Sequence, residues 1–433
     1  MDLTWVALGA FVLLFALMAL RVPIGVSMGL AGLAGFGYLQ GLQPALKLLA
    51  LSPIRTVTDY SFAVIPMFVL MGSFCTSSGM SRELYRASNA WLGHFRGGLA
   101  LATIAACAGF GAICGSSVAT AATFSTVALP EMERFGYRSG TAAGVIAAGG
   151  TLAILIPPSV VFAVYGLLTD QDIGKLFVAG ILPGLLATGM YMATIQIIGW
   201  LRPGAYPEGV RASWAERLDS LRDIWAVVAL FFFVIGGMYG GLFTPTEGAG
   251  MGAAGAYLIA IVRRRLSLKQ TVACLVETLR TSAAIFTILI GALLFGYFLT
   301  LTETPQRLTE WLIGLNIGKY GVLVLLMVLY LILGCILDAM AMIILTVPIV
   351  FPLVMKLGFD PIWFGVIIVM TVELALITPP VGMNVYVIKG VNKNLSLSEI
   401  FRGVAPFILT DAIRLAILVA FPAIALLLPN RMG

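Results

Sequence analysis

Helix breakers recur at a fixed spacing inside sequence apolar enough to lie in a membrane, and nothing else constrains the fold as much. Pro130 returns as Pro352, Gly136 as Gly358 and Pro157-Pro158 as Pro379-Pro380, each 222 residues later. Pro23 and Pro245 keep that spacing, while Gly180/Gly403 and Pro183/Pro406 slip to 223. Proline inside a helix removes a backbone donor and clashes with the preceding turn. Breaks at matching places therefore mark a duplicated chain with interrupted helices. At membrane depth such irregular backbone survives only where protein or a cavity surrounds it. Repeated in two halves, it is the sequence pointer to a secondary transporter whose substrate and coupling ion bind at the breaks.

The composition agrees. Of the 433 residues 60% are hydrophobic and 11% charged, against about 25% charged in soluble domains. Runs such as Trp5–Leu20, Ile224–Phe243 and Val322–Leu337 approach or span a hydrocarbon core of about 30 Å. The fold class is an all-α polytopic membrane protein. The net charge of +6 reads as basic residues that orient loops rather than as a nucleic-acid surface. Cys75, Cys107, Cys114, Cys274 and Cys335 stand singly in apolar segments, so neither disulfides nor a metal site is inferred. His94 is the only histidine, and no GxxxxGK[ST] loop occurs. That excludes a histidine-rich metal centre and a Walker-type ATP motor, and an enzyme is not expected. The apolar run between Asp2 and Arg21 has no small-residue cleavage site and reads as a retained first helix.

In the first half, residues 1–200, spanning helices are expected near Leu3–Leu20, Pro23–Leu39 and Ser61–Ser78. Gly98–Ile113 and Val118–Leu129 are too short for secure crossings and flank the small polar turn Cys114-Gly115-Ser116-Ser117. This pattern predicts a re-entrant hairpin. Ala142–Leu168, broken at Pro157-Pro158-Ser159, and Lys175–Trp200 complete the half. Residues 201–223 carry Arg202, Glu208, Arg211, Glu216, Arg217, Asp219, Arg222 and Asp223 and read as the linker. The second half, 224–433, repeats the plan. Its helices are Ile224–Phe243, Thr246–Val262 and Ser282–Leu301. A hairpin in Gly321–Met355 turns at Leu337-Asp338-Ala339, Trp363–Ile388 is broken at Thr378-Pro379-Pro380, and Val404–Leu428 is the last helix. Each half thus has five crossings and one hairpin, and an odd number inverts the second half. Arg263-Arg264-Arg265 with Lys269 is the strongest basic cluster, which puts that loop in the cytoplasm and both termini on the periplasmic side.

Each hairpin and each break exposes unpaired backbone. A half-helix N-terminus suits a carboxylate, and the carbonyls ending the preceding half-helix suit Na⁺. Ser116, Ser117 and Ser159 in the first half match Asp338 and Thr378-Pro379-Pro380, with Gly382 and Asn384, in the second. Single serines also serve as ordinary packing residues in membrane helices. An acid at membrane depth, such as Asp338, is a functional candidate by default; the alternative is a surface position on a misplaced turn. Glu373 could lie on an interdomain face. Asp411 and Arg414 are three apart on one helical face and are expected to pair structurally. Glu247 sits near a helix end, open to solvent.

Gly111–Tyr137 (GAICGSSVATAATFSTVALPEMERFGY), Gly149–Tyr165 (GGTLAILIPPSVVFAVY), Thr244–Gly250 (TPTEGAG) and Ile377–Asn384 (ITPPVGMN) resemble the large membrane subunit of TRAP transporters, the tripartite ATP-independent periplasmic type. The resemblance runs over essentially the whole chain. It implies Na⁺-coupled uptake of an organic acid across the bacterial or archaeal inner membrane, with two or more Na⁺ sites. It also implies a periplasmic substrate-binding protein and a separate four-helix membrane subunit as partners, beside lipid. An elevator motion is implied, with scaffold helices in 1–78 and 224–262 and transport elements in 98–168 and 321–388. By the same resemblance, Ser117, Ser159 and Asp338 line the substrate cavity. Na⁺ ligands come from Gly115, Ser116, Ser117, Pro157, Asp338, Thr378, Pro379 and Gly382. The rival reading is a stand-alone Na⁺/anion symporter of related hairpin architecture.

Overall fold

The computed structural model describes residues 3–432 apart from 203, 205, 208 and 210, so Asp2 and the linker acid Glu208 lie outside the described residues. Among the described residues the secondary structure is helical, with no strand. The first half runs α1 (Leu3–Ala19), α2 (Ile24–Gln40), α3 (Leu42–Thr58), α4 (Val64–Ser77), α5 (Met80–Leu92), α6 (Gly98–Cys114), α7 (Ser117–Val127), α8 (Leu129–Arg134), α9 (Ser139–Leu155), α10 (Val160–Thr169) and α11 (Ile173–Leu201). The second runs α12 (Trp214–Tyr239), α13 (Pro245–Val262), α14 (Leu268–Leu301), α15 (Thr304–Gly314), α16 (Gly318–Leu333), α17 (Ala339–Lys356), α18 (Pro361–Ala375), α19 (Met383–Val391), α20 (Leu397–Ala420) and α21 (Ala423–Leu426). Seven helical stretches are long and apolar enough to cross a bilayer by length and composition, among the described residues.

Most expected helices fall within a few residues of these bounds. Most of the differences share one cause, helical turns too polar to register as apolar runs; the early end of α20 instead falls just before Pro422. The helix α12 begins at Trp214 rather than Ile224, so among the described residues only part of 202–213 is non-helical linker. Its start is fixed by a capping box in which Ser213 Oγ accepts from the Glu216 N–H and the Glu216 carboxylate accepts from the Ser213 N–H. A similar box, Ser267 with Gln270, starts α14 well before Ser282. The helices α3, α5 and α15 were not anticipated. In α5, Met80, Leu84, Tyr85 and Ala87 are buried while Arg82 and Arg86 are not, a one-sided stripe of the kind that lies along an apolar surface. At the far end α20 stops at Ala420, eight residues short of Leu428. Glu247 is exposed and closes a capping box with Thr244 at the start of α13.

Two packed groups result. The first joins α1, α2, α4, α12, α13 and α14, with α2 laid along α14 and α13 along α4. A Cβ on Gly25 would stand 2.5 Å from the Thr287 carbonyl oxygen, so α2 and α14 touch backbone to backbone there, the packing small residues permit in membranes. The second group gathers α6, α7, α9, α10 and α11 with α17, α18, α19 and α20. Within it the halves exchange partners: α7 packs on α19, and α17 on α10. The second helix of each hairpin thus rests on the helix that follows the other half's Pro-Pro break.

Candidate substrate and ion site

The two hairpin turns are built alike. Ser116 Oγ accepts a hydrogen bond from the Ala119 N–H at 3.3 Å, and Asp338 Oδ1 accepts one from the Ala341 N–H at 2.8 Å. Both are N-caps, and both donor and acceptor positions are 222 residues apart. Each cap satisfies one free donor of its half-helix and leaves others unpaired. The first turn is tight because Gly115 adopts φ +63, a conformation glycine enters without steric cost. A Cβ there would lie 3.0 Å from the Pro158 carbonyl oxygen, so the Pro-Pro break sits directly behind the turn. Both Pro-Pro bonds are cis.

The turns open on one cavity of about 520 Å³. Gly115, Ser116 and Ser117 border it from the first hairpin, Asp338, Ala339 and Met340 from the second. The opposite wall belongs to the other helix group: Gly72, Ser73 and Thr76 on α4, and Glu277, Thr281 and Ile288 on α14. Two carboxylates, Asp338 and Glu277, line it, and none of the described lining residues is Lys, Arg or His. Ser73 Oγ donates to Glu277 Oε2 at 3.4 Å.

Ser117 is held from behind. Its hydroxyl donates to Asn384 Oδ1 at 2.8 Å, and Asn384 Nδ2 donates to the Ala147 carbonyl at 3.1 Å. Asn384 is fully buried. The Ser117 O–H is therefore already used, and its lone pairs remain. Such an oxygen is suited to a cation or to a donor, not to a carboxylate.

Several nominated residues stand back from the cavity. Ser159 is fully buried, and its hydroxyl donates to the Ile154 carbonyl at 2.6 Å. Ile154 and Val160 reach the cavity in its place. Pro157, Thr378, Pro379 and Gly382 do not border it either; Leu376 and Met383 flank the second break there. Thr378 Oγ1 donates to the Leu374 carbonyl at 2.6 Å. Conversely, Ser73, Thr76, Glu277 and Thr281 were not singled out from sequence. The signal for Glu277 was available, since it precedes the uncharged run 281–301 by one turn.

Away from the cavity, Asp411 and Arg414 pair at 2.9 Å, and Glu373 joins them, its carboxylate 2.7 Å from the same guanidinium nitrogen. All three are buried. Tyr191 donates to Asp411 Oδ2 at 2.7 Å, lies beneath the Arg414 guanidinium, and meets Thr151 Oγ1 at 3.2 Å. Thr151 and Glu373 are 222 residues apart, Tyr191 and Arg414 223. Equivalent positions of the two halves thus converge on one polar cluster inside the second helix group.

With this geometry, a sequence profile of the family described as "Tripartite ATP-independent periplasmic transporter, DctM component" matches residues 11–424. The chain belongs to this family. It is 38% identical over 405 residues to the C4-dicarboxylate TRAP transporter large permease protein DctM of Pseudomonas aeruginosa, covering 91% of this chain and 94% of that one. It is 36% identical over 414 residues to the isethionate TRAP transporter permease protein DctMQ of Oleidesulfovibrio alaskensis, covering 93% of this chain and 63% of that longer protein. Among solved structures, the Alcanivorax borkumensis YdaH transporter superposes with a TM-score of 0.60 over 89% of this chain and 90% of that one. Its 14% identity makes that a likeness of fold alone. The chain is thus a multi-pass membrane protein of the TRAP secondary transporters, related to permeases rather than to enzymes.

Proposed function

We propose that this TRAP permease takes up an organic acid across the cytoplasmic membrane together with two or more Na⁺. The observation that carries the reading is the cavity itself, where two N-capped hairpin turns meet two carboxylates and no cationic side chain. Like charges a few ångströms apart repel strongly in a poorly hydrated site, so an anion enters only with cations to offset Asp338 and Glu277. Ser117, its proton given to Asn384, and the carbonyls that end α6 suit one Na⁺; Asp338 suits another. The remaining half-helix N–H groups suit the substrate carboxylate. Named relatives that act on C4-dicarboxylates and on isethionate, both anions, support the class.

The partners in this reading are a small four-helix subunit and a periplasmic binding protein. The extra length of the DctMQ relative fits a permease with both membrane parts in one chain. The cavity borders α14 from Glu277 to Ile288, nearer its Leu268 end. That end follows the Arg263-Arg264-Arg265 loop, which belongs in the cytoplasm. This is then the cytoplasm-facing state of an elevator in which the hairpin-bearing group slides along α4 and α14.

The test is uptake into proteoliposomes holding the chain, its small subunit and an external binding protein. Uptake should rise sigmoidally with external Na⁺ and vanish with choline. Unchanged uptake in choline, driven by a proton gradient, would overturn the reading. Full uptake by the chain alone would favour the stand-alone symporter.

A further inference from the structure

On the face of α14 that ends at Thr300, Gly296 borders an open cleft, although its counterpart on α4 is the seat of the first hairpin. The two segments correspond at an offset of 224: Gly72/Gly296, Phe74/Phe298, Thr76/Thr300 and the helix-ending Ser78/Thr302. The local hydrogen bonds correspond too. Thr76 Oγ1 donates to the Gly72 carbonyl and Thr300 Oγ1 to the Gly296 carbonyl.

On α4 the glycine is needed. A Cβ at Gly72 would stand 2.9 Å from the Cys114 carbonyl oxygen, because the hairpin turn presses against the helix backbone. At Gly296 a Cβ would meet nothing within 4 Å. Glycine inside a helix is destabilising relative to alanine, and in this state no close neighbour requires one at Gly296. The missing neighbour has a counterpart as well. Cys114, which covers Gly72, corresponds to Ile336 at an offset of 222. Cys114 is 7% exposed, whereas Ile336, at the tip of the second hairpin, is 57% exposed. Both members of the second contact exist and stand apart.

We propose that Gly296 is the seat of the second hairpin's tip in the periplasm-facing state, with Ile336 packed on it as Cys114 now packs on Gly72. The proposal rests on the elevator reading above and adds to it the residue where the stroke ends. Two measures, one along each helix, give strokes of similar length. Along α14, the present cavity reaches Ile288, and Gly296 lies 8 residues beyond it, about 12 Å at the helical rise. Along α17, Pro348 and Ile349 already flank the cleft that Gly296 and Thr300 line. Asp338 is 10 residues before Pro348, about 15 Å. A slide of one helix along the other by about that length brings the tip to the glycine.

The experiment uses the assembled transporter with its native cysteines replaced, after uptake is shown to survive. One disulfide pair, Thr76→Cys with Cys114 retained, reports the present state. The other, Thr300→Cys with Ile336→Cys, reports the proposed one. The first should form in the resting transporter and stop uptake. The second should form only during turnover with Na⁺ and an organic-acid substrate such as succinate, or whichever anion the binding protein delivers. In a separate variant, Gly296→Leu should insert and purify as wild type, since a Cβ there meets nothing within 4 Å and the cleft beside it holds about 240 Å³. Its uptake should fall at least about tenfold, and the fraction trapped by the first pair should rise. If the first pair stops uptake but the second never forms, or if Gly296→Leu transports at the wild-type rate, the seat at Gly296 is wrong and the elevator stands. If the first pair forms and uptake continues, the elevator fails and this inference with it.

Discussion

Replacing Arg414 by methionine should unfold the second helix group more readily than almost any other single change. The side chain is fully buried and pairs with Glu373 at 2.7 Å and Asp411 at 2.9 Å. Removing one partner of a buried ion pair costs roughly 3–5 kcal/mol, because the other charge stays behind without compensation. Here two carboxylates stay behind, with the Tyr191 hydroxyl as the donor left to Asp411, so the upper part of that range applies. At about 1.4 kcal/mol per decade, the folded-to-unfolded ratio should fall by about a thousandfold.

Charge balance sharpens the expectation. Two acids face one guanidinium, so Glu373→Gln removes the excess and keeps an acceptor for Arg414. Its cost should be near that of one altered hydrogen bond, about 1 kcal/mol. The triple variant Glu373→Met, Asp411→Leu, Arg414→Met should recover most of the loss, since apolar groups of similar volume often replace buried ion clusters without penalty. The assay is detergent-driven unfolding of the purified protein in mixed micelles, followed by tryptophan emission. Arg414→Met losing less than about 1 kcal/mol, or Glu373→Gln costing as much as Arg414→Met, would refute the reasoning.

Other outcomes follow from the site. Asp338→Asn should insert and fold, because asparagine also caps helices, yet lose at least about tenfold in uptake; wild-type uptake at equal expression would remove the acid from the ion site. Asn384→Leu should leave the buried Ser117 hydroxyl without its acceptor, destabilising the protein by about 1–3 kcal/mol. It should also raise the Na⁺ concentration for half-maximal uptake; an unchanged Na⁺ curve would mean that Ser117 holds no ion.

The fold was legible in the sequence wherever apolar runs and breakers coincide. The hairpin turn at Asp338, the breaks at Pro157 and Pro379, and the α2 and α13 bounds all rest on features that no packing partner can override. The helices α3, α5 and α15 were not legible, because a hydrophobicity reading tuned to whole spans passes over amphipathic turns such as Met80–Leu92. The hairpin wall of the cavity was readable for the same reason as the breaks: Gly115, Ser116, Ser117 and Asp338 are polar or flexible residues in apolar surroundings. The opposite wall was not. Ser73 and Thr76 look like any membrane-helix hydroxyls, and only tertiary packing turns their face of α4 toward the hairpins. Ser159 shows the converse. Its place after Pro-Pro suggests a ligand, but the broken helix needs a cap, and its oxygen also accepts from the Phe162 N–H at 3.4 Å.

The duplication also carries an asymmetry that backbone matching hides. Equivalent positions pair Ser116 with Asp338 and Thr151 with Glu373 at 222, and Thr188 with Asp411 and Tyr191 with Arg414 at 223. In every pair the first half holds a neutral hydroxyl and the second half a charge. The halves kept the same caps and the same breaks, and therefore the same shape of site, while ionised groups collected in one of them. Two Na⁺ sites built on these turns would accordingly differ in kind. One would rest on hydroxyl and carbonyl oxygens, which bind Na⁺ weakly and release it easily. The other would include a carboxylate, which holds its ion more firmly. On the proposed Na⁺ coupling, the Asp338 side would fill first and remain filled longest. The buried cluster fits the same division. Thr151 and Tyr191 from the first half supply neutral hydroxyls around charges that the second half brings, so the polar contact between halves forms only when both are folded together.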